Sequence, residues 1–215
     1  LIATAHRRAR LTDFGPAQIR EPLERLVDAL EREARLTPVG RAMTRTRLLS
    51  VLGIRLRAQH LFDAHPEILD REVRPPLFIT GLQRSGTTVL SRLLADDPAA
   101  RALASWEALD PIPSATNRPR AKVDRARLRS AKLAETTLRY LAPDFFAVHP
   151  VQAQSPEEEV MLLDLTLLST VAEASYHVPS YARWVEQQDQ RPAYAYLARM
   201  LKLLQWQRDA AFWVL

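Results

Sequence analysis

The sequence predicts an α/β protein: a parallel sheet inside a three-layer domain, preceded by a layer of helices. Three observations carry this. The short apolar run Leu77-Phe78-Ile79-Thr80 passes through a glycine-bounded loop straight into a helical pattern, the order strand, loop, helix. Two stretches ahead of it have the apolar spacing of amphipathic helices, and a last apolar run, Ala211-Phe212-Trp213-Val214-Leu215, has the texture of a second buried strand. The expected division is an N-terminal helical layer over 1–73 and an α/β domain over 74–215.

Each element has its own signal. In 16–36, Ile19, Leu23, Leu26, Leu30 and Ala34 recur at steps of three and four, which predicts a helix. In 41–62, Leu48, Leu52 and Leu56 predict a second, with Thr37-Pro38-Val39-Gly40 as the break between them. Arg74-Pro75-Pro76 introduces the run 77–80, which is too short for a helix and is expected as a buried strand. After the loop, Val89, Leu90, Leu93 and Leu94 have helical spacing up to Asp96-Asp97-Pro98. Arg101-Ala102-Leu103 is a weaker strand candidate. Residues 110–121 hold Pro111, Pro113 and Pro119 and read as a loop, and 122–141 as a basic helix. Ser155-Pro156-Glu157-Glu158 has the form of a helix start, with Ser as cap, Pro next and Glu closing a capping box. A further helix is expected over 192–206.

Composition narrows the chemistry. Apolar residues make up 47% and charged residues 26%, enough for a packed core. There is no cysteine, so disulfides, thiolate nucleophiles and cysteine-held metals are excluded. No apolar run reaches membrane-spanning length, and the Arg-rich first residues lack the apolar stretch of a signal peptide. A cytoplasmic location is expected. The net charge is +5, unevenly spread: residues 117–140 hold eight cations against two acids, read as a solvated helix face before an anionic partner is invoked.

The loop carries the chemistry. The chain has only five glycines, yet Gly81 and Gly86 fall within Gly81-Leu82-Gln83-Arg84-Ser85-Gly86-Thr87-Thr88. A loop between a strand and a helix N-terminus binds anions, because free backbone N–H groups and the helix dipole point at the same spot. The spacing G-x4-G begins like a Walker A loop, but Thr87 stands at the Walker lysine and the cation is Arg84. An NTPase needs that lysine and a held Mg²⁺. This loop suits transfer of one terminal anionic group without a metal.

Phe78 to Thr88 resembles the 5′-phosphosulfate loop of sulfotransferases that use 3′-phosphoadenylyl sulfate (PAPS). The Arg-Ser-Gly-Thr-Thr form is similar to bacterial and tyrosyl-protein sulfotransferases. With Trp106-Glu107, Pro156-Glu157-Glu158-Glu159 and Val178-Pro179-Ser180-Tyr181, the chain from about residue 15 onward resembles a bacterial sulfotransferase family of mycobacterial type. The resemblance implies a P-loop-type fold. It implies that Ser85, Gly86, Thr87 and Thr88 hold the 5′-phosphosulfate, and that Arg84 neutralises the bridging oxygen as the sulfuryl group leaves. It also places the 3′-phosphate site on a later strand–helix unit, so the 215 residues are expected to be the N-terminal part of a longer enzyme, with sheet and site completed beyond Leu215.

Transfer to a hydroxyl needs a base. Glu107 follows Arg84 by 23 residues, and a strand at 101–103 would return it to the mouth of the site, as in several sulfotransferases. His149, between Val148 and Pro150, is the second candidate, its imidazole titrating near the right pH. His177 is a weaker third. Either Glu107 or His149 remains open as the base. His6, His60 and His65 lack partners at ligand spacing, so no metal site is expected. Glu157, Glu158 and Glu159 read as first-turn acids. Asp164, after Val160-Met161-Leu162-Leu163, imitates a Walker B aspartate but would sit inside the capped helix and is read as a decoy.

The expected function is sulfuryl transfer from PAPS to a hydroxyl or amine on a small-molecule, carbohydrate or lipid acceptor, releasing adenosine 3′,5′-bisphosphate. Neither nucleic acid nor a transmembrane segment is expected. The competing readings are a P-loop kinase or NTPase, and a module binding nucleic acid or an anionic surface through the basic helix.

Overall fold

The computed structural model describes the chain apart from residues 17, 83–84, 114–119 and 149–150; for 120–123, 145 and 147–148 it describes the backbone alone. The first elements are α1 (Ile2–Ala9), α2 (Arg20–Arg32) and α3 (Pro38–Ala64). Then come β1 (Pro76–Leu77), α4 (Thr87–Ala95), β2 (Ala100–Ala102), α5 (Ser105–Leu109), α6 (Arg120–Leu141) and α7 (Pro143–Val148). The remainder is α8 (Val160–Leu163), α9 (Val171–Ser175), α10 (Pro179–Glu186), α11 (Arg191–Gln207) and β3 (Phe212–Val214). These form two compact units, Leu1–Arg71 with Val160–Lys202, and Glu72–Glu159 with Leu203–Leu215.

In the first unit the predicted stripes are buried: Leu23, Leu26 and Leu30 on α2, and Leu48, Leu52 and Leu56 on α3. α3 starts earlier than its apolar spacing indicates. Thr37 is its cap, the hydroxyl accepting from the Gly40 N–H at 3.1 Å, and Pro38 fills the first position. The stretch read as a break is thus the helix start. Arg55 is wholly buried on α3; its guanidinium donates to the carbonyls of Phe14 and Leu165 and lies 4.5 Å from the Tyr196 ring. Asp164 is not inside a long helix. α8 is four residues, and Asp164 follows it in a 3₁₀ turn, where it accepts from Arg47 and from Ser169 Oγ.

The second unit holds a parallel sheet of order β1-β3-β2. β3 is the central strand, with Trp213 and Val214 buried, as its apolar run predicts. Pro75 and Pro76 put β1 at the edge, since proline gives the ladder no N–H; Pro75 O accepts from the Trp213 N–H instead. The pairing extends past β1, with Ile79 N donating to Leu215 O at 2.8 Å.

Two expectations fail in this unit. The run 77–80 was expected to be buried, yet Leu77 and Phe78 are exposed, Phe78 by 53%, because only one side of an edge strand has a neighbour. No helix starts at Ser155. Pro156 bridges antiparallel to Ala104, and Glu157 N donates to Leu103 O at 2.7 Å. Ser155 Oγ donates to Gln152, and the Glu157 carboxylate accepts from Ser105 Oγ. Long-range pairing has taken the groups a capping box would use, and Glu157, Glu158 and Glu159 precede the helix rather than open it.

Candidate functional site

β1 and β2 both run parallel to β3, so the residues after each leave the sheet at its carboxyl edge, where open α/β sheets bind ligands. After β1 comes the glycine loop. Gly86 has φ 96° and caps α4, a backbone conformation that favours glycine. Among the described residues no side chain caps this helix, which leaves the first-turn N–H groups at Thr87 and Thr88 for solvent or a ligand. A Cβ on Gly86 would meet nothing within 4 Å, so the space before the helix is open. Gly81 is the opposite case: a Cβ there would lie 2.8 Å from Ser85 Oγ and 3.0 Å from Thr87 Cγ2. Its bare backbone lets the two ends of the loop close on each other. Ser85, Gly86 and Thr88 are exposed and Thr87 is half-buried. Arg84 lies outside the described residues, and so does His149.

After β2 the chain turns into α5, and here Glu107 is found. It is only 5% exposed. Its Oε1 and Oε2 accept from Arg101 Nη2 and Nη1 at 2.8 and 2.9 Å, and Oε2 also accepts from the Ala104 N–H. Arg101 in turn lies 5.1 Å from the Trp213 ring. The pair ties β2, α5 and β3 together. The neighbouring segment is held from α6: Arg127 donates to Asp110 O and its guanidinium lies 4.6 Å from the Trp106 ring. Burial pushes the Arg127 pKa down, with Asp110 and Asp124 opposing.

Arg101, Arg127 and Trp213 were not singled out by sequence. An arginine inside the apolar run Arg101-Ala102-Leu103, with a carboxylate six residues on, is the signal that could have found the pair. His177 is in the other unit, beside Tyr176 and Arg183 in a shallow depression. Among the described residues no group of His, Asp and Glu could hold a metal, and no helix is long and apolar enough to cross a membrane.

A sequence model of a sulfotransferase family matches residues 75–209. No curated protein matches the sequence. Among solved structures, sulfotransferase STF1 from Mycobacterium tuberculosis H37Rv is similar over 100% of this chain and 59% of its own, at 37% identity and TM-score 0.82. Sulfotransferase STF9 from Mycobacterium avium is similar over 99% of this chain and 55% of its own, at 28% identity and TM-score 0.81. The chain thus spans rather more than half the length of the structures it matches. With that likeness over the whole chain and the family match covering the loop, β1, β2 and α5, this chain belongs to the sulfotransferase family.

Proposed function

We propose that the chain transfers a sulfuryl group from PAPS to a hydroxyl or amine acceptor, releasing adenosine 3′,5′-bisphosphate. The observation that carries this reading is the uncapped N-terminus of α4 behind Gly86, open at the carboxyl edge of a parallel sheet. The fit is chemical as well as spatial. A loop bounded by two glycines and carrying the hydroxyls of Ser85, Thr87 and Thr88 matches the terminal anion of a phosphosulfate. Bound there, PAPS supplies an activated sulfuryl group. The N–H groups of Thr87 and Thr88 and the hydroxyls of the loop orient it. Arg84, the loop's cation, offsets the negative charge that grows on the bridging oxygen as the S–O bond to the 5′-phosphate breaks. The acceptor oxygen or nitrogen forms the new bond to sulfur, and its proton passes to a base. Both oxygens of Glu107 are engaged by Arg101, which favours Glu107 as an anchor of the segment and leaves His149 as the candidate base. The same reading places the chain in the cytoplasm, with its acceptor a small molecule, carbohydrate or lipid, and needs no metal.

Calorimetry tests the donor. PAPS should bind without metal and ATP should not bind with Mg²⁺; the reverse result would favour a kinase. Arg84→Ala should lower turnover by ~10²–10³ while affinity for the bisphosphate product falls less, since the charge develops in the transition state. Near-normal turnover in that variant would remove Arg84 from the mechanism.

A further inference from the structure

We propose that the outer face of α6 docks on an anionic lipid bilayer. Residues three and four apart share a helix face. On α6, Arg127 and Ala131 are buried and Leu128, Glu135 and Leu138 partly so, which fixes the inner face. The opposite face carries Arg125, Arg129, Lys132, Leu133, Thr136 and Tyr140, all exposed. Leu133 is 68% and Tyr140 85% exposed; seven residues apart, they stand one above the other, directly away from the core. Arg125, Arg129 and Lys132 line one flank of that pair and form no ion pair with any described residue. Among the described residues of this helix, Arg127 pairs with Asp124, and the exposed Arg139 reaches back to the mostly buried Glu135.

The mixture decides the partner. A helix face that packs on protein is mainly apolar and carries few cations. On α6 an aliphatic and a phenolic side chain project beyond a row of cations. That order suits a headgroup layer, where cations meet phosphate and the apolar tips reach the acyl boundary. A nucleic-acid partner would use the cations alone and gain nothing from Leu133. This inference stands apart from the sulfuryl-transfer reading.

The test is sedimentation of the full chain with vesicles of phosphatidylcholine alone, and of phosphatidylcholine with phosphatidylglycerol. Binding to the anionic vesicles only is expected, weakening as salt rises from about 50 to 500 mM. The triple variant Arg125→Ser, Arg129→Ser, Lys132→Ser should bind on the order of a hundredfold more weakly. Leu133→Ser with Tyr140→Ser should also release the chain from vesicles, with an unchanged melting point in both variants. No binding to anionic vesicles, equal binding to neutral ones, or full binding by the Leu133/Tyr140 variant would overturn the proposal. So would a loss of self-association in place of a loss of vesicle binding. Should a variant fail to fold, the salt and lipid dependence of the unaltered chain still decides it.

Discussion

Arg101 is almost wholly buried in β2, and the two-pronged contact with Glu107 is what offsets the loss of its water. Removing one partner strands the other. Glu107→Gln should therefore cost about 3–5 kcal/mol, seen as a melting point lower by about 10 °C. Replacing both, as Arg101→Met with Glu107→Leu, should recover most of that loss. An unchanged melting point with lost turnover would instead make Glu107 the proton acceptor. At this scale the sequence displayed the carboxylate but hid its partner. The pairing depends on a turn between β2 and α5 that no spacing rule encodes, and on Trp213, more than a hundred residues away in the chain. The glycine-bounded turn into α4, by contrast, was legible because its spacing is local.

Elements whose signals are local and uncontested came through. The stripes of α2 and α3, the loop before α4, the basic α6 and the apolar β3 were all readable from spacing. Ser155 shows the limit. Its capping pattern is complete in sequence, yet the segment pairs with 103–105 and its side chains bond elsewhere. Thr37-Pro38 shows the converse, a cap hidden by being taken for a break. The loop makes a sharper claim about Gly81. An alanine there would press on Ser85 and Thr87, and overpacking of this kind costs about 1–3 kcal/mol. Placed at the mouth of the site, that strain should fall on ligand binding. Gly81→Ala is expected to weaken affinity for adenosine 3′,5′-bisphosphate about tenfold or more, with circular dichroism unchanged. Undiminished affinity would show that the loop closes without the glycine.

For the molecule as a whole, the class was legible and the exposure was not. Strand, loop and helix in sequence order imply a parallel sheet, but nothing in an apolar run says which of its sides has a neighbour. That matters at α4, which buries none of its residues, and at the run of β1 and Phe78, where Leu77 and Phe78 are both exposed. Leu82, Val89, Leu90 and Leu93 add to the same class of surface, Leu93 at 65% exposure. Apolar side chains on an unpaired strand edge and its following helix form an adhesive surface. The 215 residues by themselves should light up a solvatochromic dye in the folded state and be retained on a phenyl matrix. Their sedimentation coefficient should climb with concentration. Val89→Glu with Leu93→Glu should quench the dye signal and flatten that climb while leaving the melting point in place. A dark, concentration-independent species would mean that these side chains find cover of their own. The loop proposed to hold the anion thus borders Leu82, Val89 and Leu90, exposed apolar side chains, so whatever covers them in solution also sets how freely a ligand reaches the loop.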